Sequence, residues 1–146
     1  MFKLPTDERL ARWRDFRKSL NALPLETALQ SVVDFWSRCP FSPYYLDPAQ
    51  PENWPDPWTL IEENYYCDLA KALGMLYTIK FTDHSPEVEI RVYYDPETKY
   101  NYNLVWIAQG KYVLNLISGE IVNKTHVEKT LKLKVEYSKE LKLNSY

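Results

Sequence analysis

Glycine, cysteine and histidine are all scarce in this chain: three, two and two among 146 residues. Three scattered glycines cannot build a phosphate loop, which needs several to let the backbone approach the anion. Two cysteines, Cys39 and Cys67, in a chain of this length read as free thiols rather than as a disulfide framework. Two separated histidines and no ligand-spaced cysteine pair give no zinc site, and neither a metal nor a cofactor is expected. Basic excess is lacking too. The formal charge of −2 argues against a general binder of nucleic acid. No apolar run approaches the roughly 18 residues of a membrane span, and residues 1–7 contain no signal-peptide core. The expectation is a soluble protein, made inside the cell, with no membrane partner. Without secretion the sequon Asn123-Lys124-Thr125 carries no information.

What the chain has instead is bulk and stiffness. Hydrophobic residues make up 45%, with 12 tyrosines, 5 tryptophans and 10 prolines. A single domain over 1–146 is expected, burying roughly two thirds of its unfolded surface. Its parts are a helical stretch at 1–39, a proline- and aromatic-rich connection at 40–57, a core at 58–122, and a lysine-rich strand or arm at 123–146.

Thr6-Asp7-Glu8 reads as a capped helix start, with Leu10, Trp13, Phe16 and Leu20 following at helical spacing. Pro24 fits the first turn of a second helix whose stripe is Leu25, Ala28, Leu29, Val32, Val33 and Trp36. Arg9, Arg12, Arg14, Arg17 and Lys18 read as a solvated helix face, with a binding face as the alternative. Six prolines fall between residues 40 and 57, interleaved with Phe41, Tyr44, Tyr45 and Trp54. That pattern predicts an extended segment packed by its rings. A helix is predicted from about Asn64 to Leu73, with the period changing after Gly74. Val88, Ile90, Val92 and Tyr94 then alternate with charged residues and Tyr93 as a half-exposed strand. Two more strands are predicted at 101–107 and 111–117, and the tail alternation from Leu131 reads as an edge strand or arm. Helices followed by strands make an α+β fold with an antiparallel sheet.

Trp54-Pro55-Asp56-Pro57-Trp58 stands nine residues before Cys67. With Asn64 as N-cap, Cys67 would be the third helical residue, where the helix terminus favours a thiolate. A buried structural cysteine is the plainer reading of the same position.

The tryptophan–proline turn, followed by Tyr66-Cys67-Asp68-Leu69-Ala70-Lys71-Ala72-Leu73-Gly74, resembles the nucleophile region of transglutaminase-like cysteine proteinases. Asn103-Leu104-Val105-Trp106 sits where that family has a His-x-Val-Leu strand. Gly110-Lys111-Tyr112-Val113-Leu114-Asn115-Leu116 sits where it has Gly-x-x-Val-Leu-Asp-Asn. The resemblance spans about residues 54–122. It implies an α+β fold of N-terminal helices, a helix carrying Cys67, and an antiparallel sheet forming the cysteine-proteinase core.

It also implies a triad of thiolate, histidine and aspartate, which falls by position on Cys67, Asn103 and Asn115. Two of the three are altered. An amide takes no proton near neutral pH and cannot stabilise an imidazolium as a carboxylate does. A three-residue hairpin loop, Ala108-Gln109-Gly110, with Gly110 left-handed would set Asn103 opposite Asn115 on one sheet face. His84 precedes the first strand and His126 follows the sheet, neither at the family's position.

The resemblance therefore implies a vestigial site and a non-catalytic protein. Small, aromatic-rich relatives with such altered motifs resemble proteins of tailed bacteriophages. The expected role is a structural or assembly component of a virion, made in the host cytoplasm. Its partners would be other virion or assembly proteins or a second copy of the chain. Trp54, Trp58, Tyr44 and Tyr45 are the candidate contact residues, with the first helix and the lysine-rich tail beside them. The alternatives are an active thiol hydrolase or acyl-transferase using Cys67, and a small regulatory binder of a host protein.

Overall fold

The computed structural model describes residues 1–43 and 46–136. Five helices and four strands follow in order: α1 (Thr6–Leu20), α2 (Leu25–Trp36), α3 (Pro57–Glu63), α4 (Asp68–Lys80), β1 (Val88–Tyr94), β2 (Asn101–Ile107), β3 (Tyr112–Leu114), α5 (Lys124–Glu128) and β4 (Lys132–Glu136). A single 3₁₀ turn at Pro51–Asn53 interrupts the proline-rich connection. The α+β architecture predicted from the sequence is the one observed.

α4 is the centre of the fold. It packs against α2 on one side and against β1 and β2 on the other. Leu69, Ala70 and every residue from Ala72 to Ile79 are buried, so the helix is apolar all round. It does not stop at Gly74. That glycine lies mid-helix because the ring of Trp36 occupies the space where a Cβ would stand. Trp13, Trp36, Tyr66 and Leu73 are among the side chains enclosed in this core.

Helix boundaries differ from the sequence expectation in three places. α1 begins after Pro5 with no side-chain cap, and Thr6 is its first residue. Pro24 is the residue before α2 rather than inside its first turn. Asn64 does not cap the cysteine helix. It closes α3 in the left-handed conformation (φ 60°), a position asparagine tolerates and most residues do not. α3 itself starts at the tryptophan–proline turn, where Asp56 accepts the Thr59 N–H at 2.7 Å and Pro57 occupies the first helical position.

The sheet order is β3-β2-β1-β4, antiparallel throughout. β4 is the edge strand anticipated for the lysine-rich tail, and Lys132 and Lys134 are exposed along it. Residues 137–146 lie outside the described part of that tail. β1 is not half-exposed, because both faces of the sheet are covered. α4 lies over Val88, Ile90 and Val92. On the other face Tyr93, Leu104, Trp106, Val113, Val127 and Leu131 form a second small core under α5. Arg91 spans that face, 4.4 Å above the Trp106 ring and 3.1 Å from Glu89.

Candidate functional site

Cys67 is held from both sides of its own backbone. Before it, Tyr66 is buried against Phe2 and Trp36, and its carbonyl accepts the Ser42 N–H at 3.0 Å beside a parallel bridge with Phe41. After it, α4 begins. Cys67 is therefore the N-cap of α4 rather than its third residue, and its carbonyl accepts the first helical bond, from Lys71, at 2.9 Å. The side chain makes no capping hydrogen bond, and the residue is 8% exposed.

The two asparagines meet at this helix start, though not by the register the sequence predicted. The hairpin pairs Ile107 with Tyr112 and Val105 with Leu114, which leaves four residues, Ala108 to Lys111, in the loop. Ala108 (φ 50°), Gln109 (φ 58°) and Gly110 (φ 89°) are all left-handed. The three-residue expectation reserved that conformation for glycine. Ala108 gives its N–H to Glu87, and Gly110 lies against Trp106 and Lys124, contacts that no local turn rule contains. Continued to Asn103, this register would face Leu116 rather than Asn115. β3 instead ends at Leu114, and Asn115 turns out of the ladder with φ 72°. Its side chain returns to β2, where Nδ2 donates to the Asn103 carbonyl at 2.9 Å.

Asp68 is the hub of the site. Asn103 donates to its Oδ2 from the side-chain amide at 2.9 Å and from the backbone N–H at 3.3 Å. Asn115 Nδ2 donates to Oδ1 at 3.2 Å. The carboxylate also stands in the first turn of α4, where the helix dipole favours negative charge. Both asparagines are buried, and Asn103 Oδ1 has no hydrogen-bond donor among the described residues. Sequence reasoning passed over Asp68. The signal was present in the acid directly after the cysteine at a helix start.

Cys67, Asp68 and Asn103 line one cleft of about 470 Å³, walled by Phe41, Pro43, Leu46, Pro48, Leu69 and Tyr100. Phe41 is 75% exposed and Tyr100 68%, so two aromatic rings stand at its mouth. The predicted contact aromatics are placed elsewhere. Trp54 is buried, with its indole N–H donated to the Asp47 carbonyl at 2.9 Å. Trp58 is half-buried between Trp13 and Phe81, with the Arg17 guanidinium 5.4 Å from its ring. Both brace the scaffold. Tyr44 and Tyr45 lie outside the described residues.

Neither histidine is among the residues described at the cleft. His84 contacts the Leu20 carbonyl beyond the far end of α4, whose 13 residues span about 20 Å. His126 sits in α5, which begins where the Lys124 N–H meets Gly110 in the hairpin turn. Cys39 is a second free thiol, half-buried. Burial pushes its pKa up to about 11, against an opposing pull from Lys71. Chemically, the cleft offers a thiol, an amide-clamped carboxylate and an unpaired amide oxygen. Among the described residues no histidine lines it.

No family model and no curated protein matches the sequence. Among solved structures, calcium-bound LapG of Legionella pneumophila superposes with a TM-score of 0.74 at 14% identity, covering 94% of this chain and 78% of that one. LapG from the same organism gives 0.68 at 15% identity over 92% of this chain and 77% of its own. The EGTA-treated form gives 0.67 at 15% identity, with 90% and 73% covered. These neighbours have the transglutaminase-like cysteine-protease core, and at such low identity what this chain shares with them is that fold.

Proposed function

We propose that this chain is a non-catalytic protein on a transglutaminase-like scaffold, acting through contacts with other proteins. One observation carries the reading. The two positions that would hold the base and its orienting acid are asparagines, and both spend their amide N–H groups on Asp68. A clamped amide neither withdraws a thiol proton nor stabilises an imidazolium. The setting we propose is a tailed-phage virion or its assembly, with virion proteins or a second copy as partner. That setting rests on the resemblance of the sequence alone.

One structural neighbour is calcium-bound, but calcium is not carried over to this chain. Asp68 receives N–H donors on both carboxylate oxygens, the reverse of what a cation requires. Among the described residues no group of three His, Cys, Asp or Glu side chains is placed to hold a metal.

The test is iodoacetamide labelling across pH, with each cysteine followed by mass spectrometry. Cys67 is expected to react no faster at neutral pH than a cysteine in a short unstructured peptide. Labelling of Cys67 several times faster than that peptide would overturn the non-catalytic reading in favour of a thiol hydrolase or acyl-transferase. The setting is tested separately, by proteomics of purified virions and assembly intermediates. Absence from both, with no virion protein bound, would reject it.

A further inference from the structure

A second concavity, of about 580 Å³, lies across the Phe41–Tyr66 bridge from the thiol cleft. Pro40 and Asn64 line this one, while Phe41 and Cys67 line the other. Its floor is aromatic. Phe2 and Phe35 stand 5.6 Å apart, and Phe35 stacks on Phe16 at 4.1 Å. Lys3 before α1, Arg12 within α1 and Arg38 after α2 also line the cup, and all three are exposed. None of the three makes an ion pair with a described residue. Asp34 accepts from Gln30 at 3.0 Å, and Asp15 lies 3.9 Å from Arg14.

The cup thus sets three exposed cations around an apolar floor. The volume falls in the range of roughly 300–1,000 Å³ typical of specific sites. The arrangement selects its occupant by charge and by grease together. Free phosphate supplies no apolar group for Phe2 and Phe35. A nucleic-acid strand needs a longer basic track than three residues. An acidic polypeptide has both parts: carboxylates and an apolar side chain.

We propose that this cup binds an acidic peptide segment of a partner protein, with a large apolar side chain seated between its carboxylates. The inference goes beyond the non-catalytic reading and does not depend on Cys67.

The experiment uses the full chain and a fluorescein-labelled peptide, Glu-Glu-Phe-Leu-Glu-Glu, followed by anisotropy. Binding is expected to weaken with added salt and to fall at least about tenfold in the Arg12→Glu/Arg38→Glu protein. The glutamine version of the peptide is expected to lose binding to a similar degree. Arg12→Gln/Arg38→Gln, which removes charge without reversing it, serves if the first variant does not fold by circular dichroism. Equal binding by a folded variant, or by the glutamine peptide, overturns the proposal. So does tighter binding of a short DNA duplex than of the peptide. Self-association abolished by the same substitutions, without peptide binding, overturns it in favour of a second copy.

Discussion

The indole nitrogens of Trp13 and Trp36, on different helices, donate to one and the same acceptor, the Thr78 hydroxyl, each at 3.0 Å. That hydroxyl in turn donates to the Gly74 carbonyl at 2.6 Å. One buried oxygen thus uses its single proton and both lone pairs, and it ties α1 and α2 to α4. Thr78→Val keeps the shape and leaves two buried N–H groups unpaired. Each orphan costs about 1–3 kcal/mol, so a loss of roughly 2–6 kcal/mol is expected in urea denaturation. Thr78→Ser keeps the acceptor and should lose only about 1 kcal/mol for the missing methyl. Equal losses for the two variants would mean that the hydroxyl does not hold the indoles.

Gly74 sets the distance between α2 and α4. A Cβ there would stand 2.4 Å from Trp36 Cη2 and 2.5 Å from Cζ3. Trp36 is fully enclosed and pinned by its bond to Thr78, so the ring has nowhere to go. Gly74→Ala gains about 1 kcal/mol of helix propensity but forces overpacking that costs roughly 1–3 kcal/mol, with a rigid ring at the upper end. Net destabilisation of about 1–2 kcal/mol is expected from the denaturation midpoint at unchanged slope.

These two residues show why some of the fold was legible and some was not. The stripe of α2 is periodic and marks its buried face, the alternation of β1 located a strand but misjudged its exposure, and the strand at 101–107 was legible from its β-branched and aromatic residues. Gly74 has no such signal. Read locally it ends a helix, and only a tryptophan 38 positions earlier turns it into a packing site. Asn64 suits an N-cap and a left-handed C-cap equally, and the choice is made upstream by Asp56 and Pro57, which start α3. In the site, motif order singled out Cys67, Asn103 and Asn115, and the structure brings the two asparagines together on Asp68, the residue after Cys67. The hairpin register behind that expectation was off by one, and the left-handed turn at Asn115 supplied the contact instead. Asp68, which holds both asparagines, had only the weak local signal of an acid directly after the cysteine at a helix start.

Cys39 makes stability depend on alkaline pH. Burial raises its folded pKa to about 11, above the value near 9.0 of a free thiol. Between those values the unfolded chain sheds the proton first, so the contribution is complete below about pH 9 and declines as pH rises toward 11. Two pH units correspond to at most about 2.7 kcal/mol, and partial solvent access brings the expected loss nearer 1 kcal/mol. Tyr66, whose burial pushes its phenol higher still, adds to the decline at more alkaline pH. Comparing wild type with Cys39→Ala isolates the thiol. The wild type should lose stability more steeply between pH 9 and 11, and parallel curves would show that Cys39 titrates normally.

Reversing the altered triad tests whether the scaffold still pairs its two positions. Asn115→Asp alone removes the amide that donates to Asp68 and the Asn103 carbonyl, and it brings a second carboxylate toward Asp68. A loss of about 1–3 kcal/mol is expected at neutral pH. Like charges raise the folded pKa of the carboxylate pair above the unfolded value, so the deficit should shrink as pH falls and one of them is protonated. Adding Asn103→His supplies an imidazole at the neighbouring position. At a pH below about 6.5, where an unperturbed histidine carries charge, an imidazolium there would attract both carboxylates. A double-mutant cycle at such a pH should therefore show favourable coupling of about 0.5–3 kcal/mol. Strict additivity would mean that positions 103 and 115 no longer communicate as side chains, and that their meeting in the native chain is a contact of asparagine with backbone alone.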